Sequence, residues 1–219
     1  SLDDFYLSQH ERRQLADKVH PLLASRGVPG THDTKQIKQV LLKLKNRKTG
    51  FRLPRFDKST DNPYPQKQWP KIEQAQDIII FEGWCWGVPP QTSKALQLPV
   101  NALETSQDPD QTWRQYINQQ LTKKYYPLYG LIDFWLMLKA PCFDCVYAWR
   151  LEQEKKLKAK LYKNKQNKLM NKEQLRDFIQ HFQRLTEHGL ATLPDKMDMV
   201  FELDENRRIT TCWQSKPII

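Results

Sequence analysis

The sequence lacks any long apolar run. Over its 219 residues, no stretch approaches the roughly 18 consecutive apolar residues that a membrane-spanning helix needs. We therefore expect a soluble protein with no membrane partner. A chain of this length is predicted to fold as a single domain, residues 1–219, with a sizeable core.

Cysteine is also scarce. The four cysteines, Cys85, Cys142, Cys145 and Cys212, are too few for a disulfide scaffold in a chain of this size. Cys142 and Cys145 have the CxxC spacing, but neither a second such pair nor a nearby histidine pair completes a tetrahedral zinc site, so a metal or redox role is disfavoured. We expect free thiols, which are typical of a reducing cytoplasm, the predicted location.

Acidic residues are few in two stretches of the chain. The formal net charge is +10, but residues 35–58 carry +8 and residues 150–172 carry +7, so the rest of the chain is net negative, at −5. The basic character is therefore local. It indicates anionic ligands such as phosphates, nucleic acid or carboxylates.

Apolar runs predict the strands. Four large apolar residues in a row at 78–81 suit a parallel strand that is covered on both faces, and Glu82 and Gly83 follow where open α/β sheets hold ligands. Glu82 is thus a candidate functional carboxylate, unless it only binds backbone amides. Further strands are predicted at residues 131–138, at residues 199–203 and at the start of the chain, where the end of a strand is followed by the carboxylate pair Asp3 and Asp4.

Helical periodicity and capping signals lie between these runs. Helices are predicted after the capping box of Ser8 and Glu11, at residues 33–44, around 113–121, and at 143–168 and 171–185. Strands that alternate with helices predict an α/β fold with a mostly parallel sheet flanked by helices.

Two loops carry candidate binding residues. Residues 26–33 are rich in turn formers and present His32 and Asp33, although Asp33 is equally suited to cap the next helix. Residues 53–58 place Arg55, Asp57 and Lys58 around an aromatic in a proline-bracketed segment, whose alternative interpretation is a solvated connection.

Five motifs together resemble one family. They are Ser1-Leu2-Asp3-Asp4-Phe5-Tyr6, Arg26-Gly27-Val28-Pro29-Gly30-Thr31-His32-Asp33, Pro54-Arg55-Phe56-Asp57-Lys58, Phe81-Glu82-Gly83-Trp84-Cys85 and Trp149-Arg150-Leu151-Glu152-Gln153-Glu154. In this order they resemble the D-glycerate 3-kinase family, which is similar to uridine kinases, phosphoribulokinases and pantothenate kinases. Asn101-Ala102-Leu103-Glu104 is similar to a further feature of that family. The resemblance spans nearly the whole chain and implies a P-loop kinase-type α/β fold.

One element of that fold is missing from the sequence. P-loop kinases bind nucleotide phosphates with a Gly-x-x-x-x-Gly-Lys-Ser/Thr loop. None of the seven glycines here is followed by lysine, and no two are five apart. In the family this loop precedes the Asp-Asp-Phe-Tyr motif. We therefore expect the native protein to carry an N-terminal strand, phosphate loop and first helix upstream, a unit of roughly 30 residues.

The resemblance implies a reaction and a set of site residues. It implies ATP- and Mg²⁺-dependent phosphorylation of a hydroxyl on a small acid, D-glycerate or similar, with a lid helix at residues 143–172. The implied roles are catalytic for Asp3 and Arg150, nucleotide-binding for Glu82 and Arg150, metal-binding for Asp3 and Glu82, and substrate-binding for His32, Asp33, Arg55 and Lys58.

Two other classes remain open. A nucleic-acid-binding protein would explain the basic run of Lys155, Lys156, Lys158, Lys160, Lys163, Lys165 and Lys168, but Tyr162 is the one aromatic interleaved there, and nucleic acid is the less favoured partner. An inactive relative that acts as an interaction protein would explain the missing loop.

Overall fold

The computed structural model describes residues 1–161 and 172–214, and the chain divides into two compact units. The first contains Ser1–Pro99 and Ser106–Asp133, and the second contains Val100–Thr105 and Phe134–Ile219. That residues 1–219 act as one kinase-like domain stays a prediction. Every helix in the described ranges is too short or too polar for a membrane span.

The described residues form helices and short strands. The helices are α1 (Gln9–Lys18), α2 (Thr34–Lys45), α3 (Ala102–Gln107), α4 (Thr112–Gln120), α5 (Tyr126–Tyr129), α6 (Phe143–Leu161) and α7 (Lys172–Thr192), with 3-10 turns at Leu2–Phe5, Pro21–Ala24, Gln66–Gln68 and Pro194–Lys196 and a π-helical turn at Leu121–Tyr125. The strands are β1 (Phe51–Arg52), β2 (Phe56–Asp57), β3 (Asn62–Pro63), β4 (Lys71–Ile72), β5 (Leu136–Lys139), β6 (Met199–Leu203) and β7 (Ile209–Gln214).

The sheets correct the predicted topology. In the second unit, β5 and β6 are parallel, but β6 and β7 are antiparallel, so this sheet is mixed. In the first unit, β1 pairs with β4 and β2 with β3, both antiparallel. The α/β class is confirmed, whereas a mostly parallel sheet is wrong for the described residues. The missed strand β7 returns from β6 through a tight turn in which Arg207 has a positive φ of 66°.

The predicted buried strand at 78–83 is wrong. The segment is in no described sheet, and Ile78 and Ile80 are 80% and 84% exposed. Exposure alternates along it, as in an extended chain with one face open. A strand also needs neighbours for its backbone groups, and an apolar run does not say whether they are present. Its end is anchored, because Phe81 packs on Phe5 and Trp86 at centroid distances of 6.0 and 4.7 Å.

Two other predicted strands also need correction. Residues 2–5 form a 3-10 turn instead of a strand end, with Ser1 as its N-cap. The strand predicted at 131–138 begins only at Leu136, because the amides of Leu131 and Ile132 bond back to the last two carbonyls of α5. The exposed Leu138 shows that this strand is not fully buried.

The helix predictions are more accurate. The capping box of Ser8 and Glu11 starts α1 as predicted, and α2 matches the predicted 33–44 closely. Helix α7 continues seven residues past Leu185, to Thr192, and Gly189 in this extension is buried like Leu185. The basic run at 162–168 lies outside the described residues.

Each unit has its own core. In the first unit the largest fully buried apolar side chains are Leu2, Leu23, Ile37, Val88, Trp113, Leu121 and Tyr125. In the second unit they are Leu175 and Val200. The second unit also buries an ion pair, in which Arg184 donates from Nε and Nη2 to the two carboxylate oxygens of Glu104 at 2.7 and 2.6 Å. Glu104 is fully buried and accepts a third bond from the amide of Val100 at 3.0 Å.

Removing one member of this pair should destabilise the second unit strongly. Glu104→Gln keeps the size of the side chain but leaves the Arg184 guanidinium buried without its counter-charge, so the free energy of unfolding should fall by about 3–5 kcal/mol. Urea denaturation measures this. The matched control is Glu187→Gln, an exposed glutamate on the same helix as Arg184, which should unfold at nearly the parent midpoint. Equal effects of the two changes would contradict a structural role for the pair.

Candidate active site

The site is built on the 3-10 turn at Leu2–Phe5. Leu2 and Phe5 are buried at 0% and 5% exposure and anchor the turn in the core. Asp3 and Asp4 occupy the positions between them and stay partly accessible. The turn therefore holds two neighbouring carboxylates at a fixed place on the first unit.

Two distant segments hold this turn through the main chain. The amide of Leu2 donates to the carbonyl of Glu82 at 2.8 Å, and the amide of Asp33 donates to the carbonyl of Phe5 at 2.8 Å. Gly83 makes the first contact possible, because a Cβ there would lie 2.7 Å from the Leu2 Cβ. The loops before α2 and after residue 81 therefore meet at the carboxylates.

Asp3 is held as an anion. Lys58 Nζ donates to its Oδ2 at 2.6 Å, and the Tyr6 hydroxyl donates to its Oδ1 at 3.0 Å. Burial alone would raise the pKa of Asp3, but the hydrogen bond and charge of Lys58, together with the Tyr6 bond, outweigh burial and lower it below its ordinary value. Asp3 is therefore ionised at neutral pH.

Asp4 has a separate set of partners. Arg55 Nη1 donates to its Oδ2 at 3.0 Å, and the amide of Phe56 donates to its Oδ1 at 3.2 Å. The two acids of the turn thus each pair with one cation of the 54–58 motif. That motif is not merely the solvated connection of the alternative interpretation.

A second ionic cluster holds the 54–58 motif in place through Phe56. The carboxylate of Asp61 binds both Arg12 and Arg26, and both guanidinium groups lie over the ring of Phe56, at 6.0 and 5.7 Å from its centroid. Arg12 is fully buried and also donates to the carbonyl of Ala24 at 3.2 Å. The hairpin that presents Lys58 is therefore tied to the start of the chain.

His32 lies beneath the turn as a neutral ring. Its imidazole stacks on Tyr6 at 4.3 Å, and its Nδ1 is 2.7 Å from the hydroxyl of Tyr125. It is only 5% exposed, and burial lowers its pKa to about 3 despite the nearby Asp3 charge. In this state it supports Tyr6 and carries no charge toward a ligand.

The structure brings most of the predicted site residues together. Those gathered around the turn in the first unit are Asp3, Glu82, His32, Asp33, Arg55 and Lys58. The side chain of Asp33 caps α2 by accepting from the Gln36 amide at 2.9 Å, so the capping alternative is confirmed. Arg150 belongs to the second unit, where it lies over the Phe178 ring at 5.9 Å and donates to Gln153. Their functional roles stay predictions.

Three supporting residues were not predicted from the sequence. Tyr6 was within a quoted motif, and a tyrosine three residues after an aspartate was the available signal. Tyr125 and Asp61 had no local signal, since their partners are 93 and at least 35 residues away. Regular α-helical periodicity does not predict the position of Tyr125 either, because Tyr125 lies in a π-helical turn.

A separate groove of 580 Å³ lies beside α2 in the first unit. Its walls include Lys43, Arg52 and Lys67 together with the rings of Phe51 and Trp69. None of the residues around the turn lines it, so it is not the carboxylate site.

Comparison with known proteins identifies relatives of this chain. No protein-family model matches it. It is 33% identical over 220 residues to "Uncharacterized kinase mug58" of Schizosaccharomyces pombe, covering 94% of this chain and 76% of that protein. It is 28% identical over 225 residues to "D-glycerate 3-kinase, chloroplastic" of Arabidopsis thaliana, covering 94% of this chain and 46% of that protein.

A solved structure has the same fold. The D-glycerate 3-kinase from Cryptococcus neoformans superposes with a TM-score of 0.77 at 28% identity, over 97% of this chain and 78% of that one.

The buried state of His32 predicts a pH-dependent stability. Because its folded pKa is about 3 and the ordinary value is near 6.5, the unfolded chain binds more protons between these values. The stability due to neutral His32 is complete above about pH 6.5 and falls by about 1.4 kcal/mol per pH unit below it, until pH reaches the folded pKa.

A histidine substitution tests this. His32→Phe keeps a ring against Tyr6 but cannot titrate, so its deficit relative to the parent protein should shrink steadily from pH 7 to pH 4.5 in urea denaturation. The control is His10→Gln, an exposed histidine on α1, whose difference from the parent should not follow the same curve. A deficit of His32→Phe that stays constant over this range would mean that His32 is not buried in its neutral form.

Proposed function

Since this chain belongs to the D-glycerate 3-kinase family, we propose that it catalyses ATP-dependent phosphorylation of a hydroxyl on a small acid of the glycerate type. The observation that carries the proposal is the ionised Asp3, held between Lys58 and Tyr6 on a turn next to Glu82. An anchored carboxylate of this kind suits phosphoryl transfer, where catalysis rests on positioning and charge.

Asp3 acts on the acceptor hydroxyl. Its carboxylate orients the hydroxyl and accepts its proton as the bond to phosphorus forms. The low pKa makes it a weak base for an early proton transfer, so its main contribution before that point is orientation. Lys58 and Tyr6 keep the carboxylate in one rotamer and thus reduce the cost of positioning.

The acidic residues here fit Mg²⁺. This ion is usually held by one or two protein carboxylates, waters and substrate phosphates, so it does not need a full protein cage. Among the described residues no group of three or more His, Cys, Asp and Glu side chains is placed to hold a metal. Asp3 and Glu82 would hold it, and it would neutralise phosphate charge.

Arg55 and Lys58 supply donors for the acid group of the acceptor. A guanidinium has five N–H donors and an ammonium three, and the bonds to Asp4 and Asp3 each use one. Their side chains are 52% and 60% exposed, so the remaining donors are accessible. A substrate carboxylate bound there would lie beside Asp3, which would favour short hydroxy acids.

The nucleotide phosphates need a further element. The proposal places a phosphate-binding loop outside these 219 residues, because the sequence contains no Gly-x-x-x-x-Gly-Lys-Ser/Thr. Arg150, on α6, is proposed to stabilise charge on the transferring phosphoryl group as part of a lid at residues 143–172.

The function is tested by ADP release in the complete protein. With ATP and Mg²⁺, ADP should form on addition of D-glycerate and not on addition of propionate, which has the carboxylate but no hydroxyl. Asp3→Asn should lower kcat by about 10²–10⁴, the usual contribution of a positioned acid–base group. The matched control, Asp4→Asn, should retain most of kcat, because Asp4 bonds to Arg55 and the Phe56 amide and is not proposed to contact the acceptor hydroxyl. A reversed order of the two variants would assign catalysis to Asp4.

The lid role is tested by two cations on α6. Arg150→Ala should lower kcat and kcat/KM together, as expected for a contact made mainly in the transition state. Lys155→Ala removes an exposed cation farther along the same helix and should change neither constant. Arg150→Lys should restore little, since an ammonium cannot make the planar two-pronged contact. A silent Arg150→Ala would remove Arg150 from the mechanism.

A further inference from the structure

A pair of cysteines begins helix α6 of the second unit. Cys142 directly precedes the helix and Cys145 lies in its first turn, so the CxxC spacing brings both thiols to one face. Their Sγ atoms are 3.5 Å apart. A disulfide bond is about 2.05 Å long, so the sulfurs need to approach by only about 1.5 Å, which is within reach of side-chain rotation.

The two thiols differ in access. Cys142 is exposed and can be reached from solution, whereas Cys145 is 7% exposed. Burial raises the pKa of the Cys145 thiol, and its contact with Cys142 raises it further. One cysteine is therefore suited to attack an external disulfide, and the other is protected until its neighbour has reacted.

A cavity adjoins the exposed thiol. It has a volume of 480 Å³ and is lined by Lys139, Cys142, Asp144, Gln183, Glu187 and Leu190, among others. This size is in the range of small-molecule sites, and both charge signs are present in its walls. A small charged disulfide therefore has room beside Cys142.

We propose that Cys142 and Cys145 form a thiol–disulfide exchange site, with Cys142 as the attacking and Cys145 as the resolving cysteine. The oxidant is a low-molecular-weight disulfide such as glutathione disulfide. The Cys142 thiolate attacks one sulfur of it, and a mixed disulfide forms while one thiol leaves with the proton that Cys142 lost. Cys145 then loses its proton, attacks the Cys142 sulfur and releases the second thiol. Two electrons pass from the protein thiols to the oxidant.

The site is tested on the complete protein with glutathione disulfide, followed by acid quenching, thiol counting and peptide mapping. The parent protein should lose two thiols and the mass of two hydrogen atoms, with Cys142 linked to Cys145, and dithiothreitol should reverse this. Cys145→Ser should stop at a glutathione adduct on Cys142. Cys142→Ser should form neither product.

Cys212→Ser is the matched control, because Cys212 is also exposed but lies on β7, outside the CxxC motif. It should still form the Cys142–Cys145 link. Because Cys145 is buried, Cys145→Ala provides a second resolving-cysteine variant, and thermal unfolding confirms that each variant is folded. The proposal is overturned if the parent protein keeps both thiols reduced, if it accumulates a stable adduct on Cys142, or if Cys212 is the cysteine that reacts.

Discussion

The arrangement of the first unit depends on main-chain hydrogen bonds to both sides of one short turn. Leu2 bonds to Glu82 and Phe5 accepts from Asp33, so the turn that carries Asp3 cannot shift without breaking contacts to two remote segments. Leu2 also fills the space that Gly83 leaves open. The backbone therefore fixes where the Asp3 carboxylate starts from. Less conformational entropy is lost in ordering it than if flexible side chains alone held it.

Ion pairs within the first unit neutralise much of its local positive charge. The strongly basic stretch at 35–58 resembles a patch for polyanions when only the sequence is considered, but several of its cations pair within the first unit. The pairs are Lys45 with Asp133, Arg47 with Asp77, Arg55 with Asp4 and Lys58 with Asp3. Lys58 does more than neutralise, because its hydrogen bond and charge favour the ionised form of Asp3 and orient it. A local net charge is therefore a weak indicator of a nucleic-acid partner here.

The ionisation of individual groups follows from their surroundings and not from residue type alone. His32 was predicted to bind the acidic substrate, yet its ring is enclosed by Tyr6 and Tyr125 and its pKa falls to about 3. Cys142 and Cys145 likewise belong to one motif, but Cys142 is exposed and Cys145 is buried. In each case the surroundings of the side chain decide whether it is charged and whether a ligand can reach it.

By itself the sequence determined the features whose hydrogen bonds close within a few residues. The capping box of Ser8 and Glu11 and the start of α2 at Asp33 were predicted, because a helix bonds to itself and its caps lie within one turn. The apolar run at 199–203 was also predicted as a strand, but its partners β5 and β7 were not. Only the tertiary structure decided the pairing of strands, the exposure of Ile78 and Ile80, and the contact of Asp3 with Lys58, 55 residues away. A strand or an ion pair needs a partner that local sequence does not specify, so these features depend on where the chain returns.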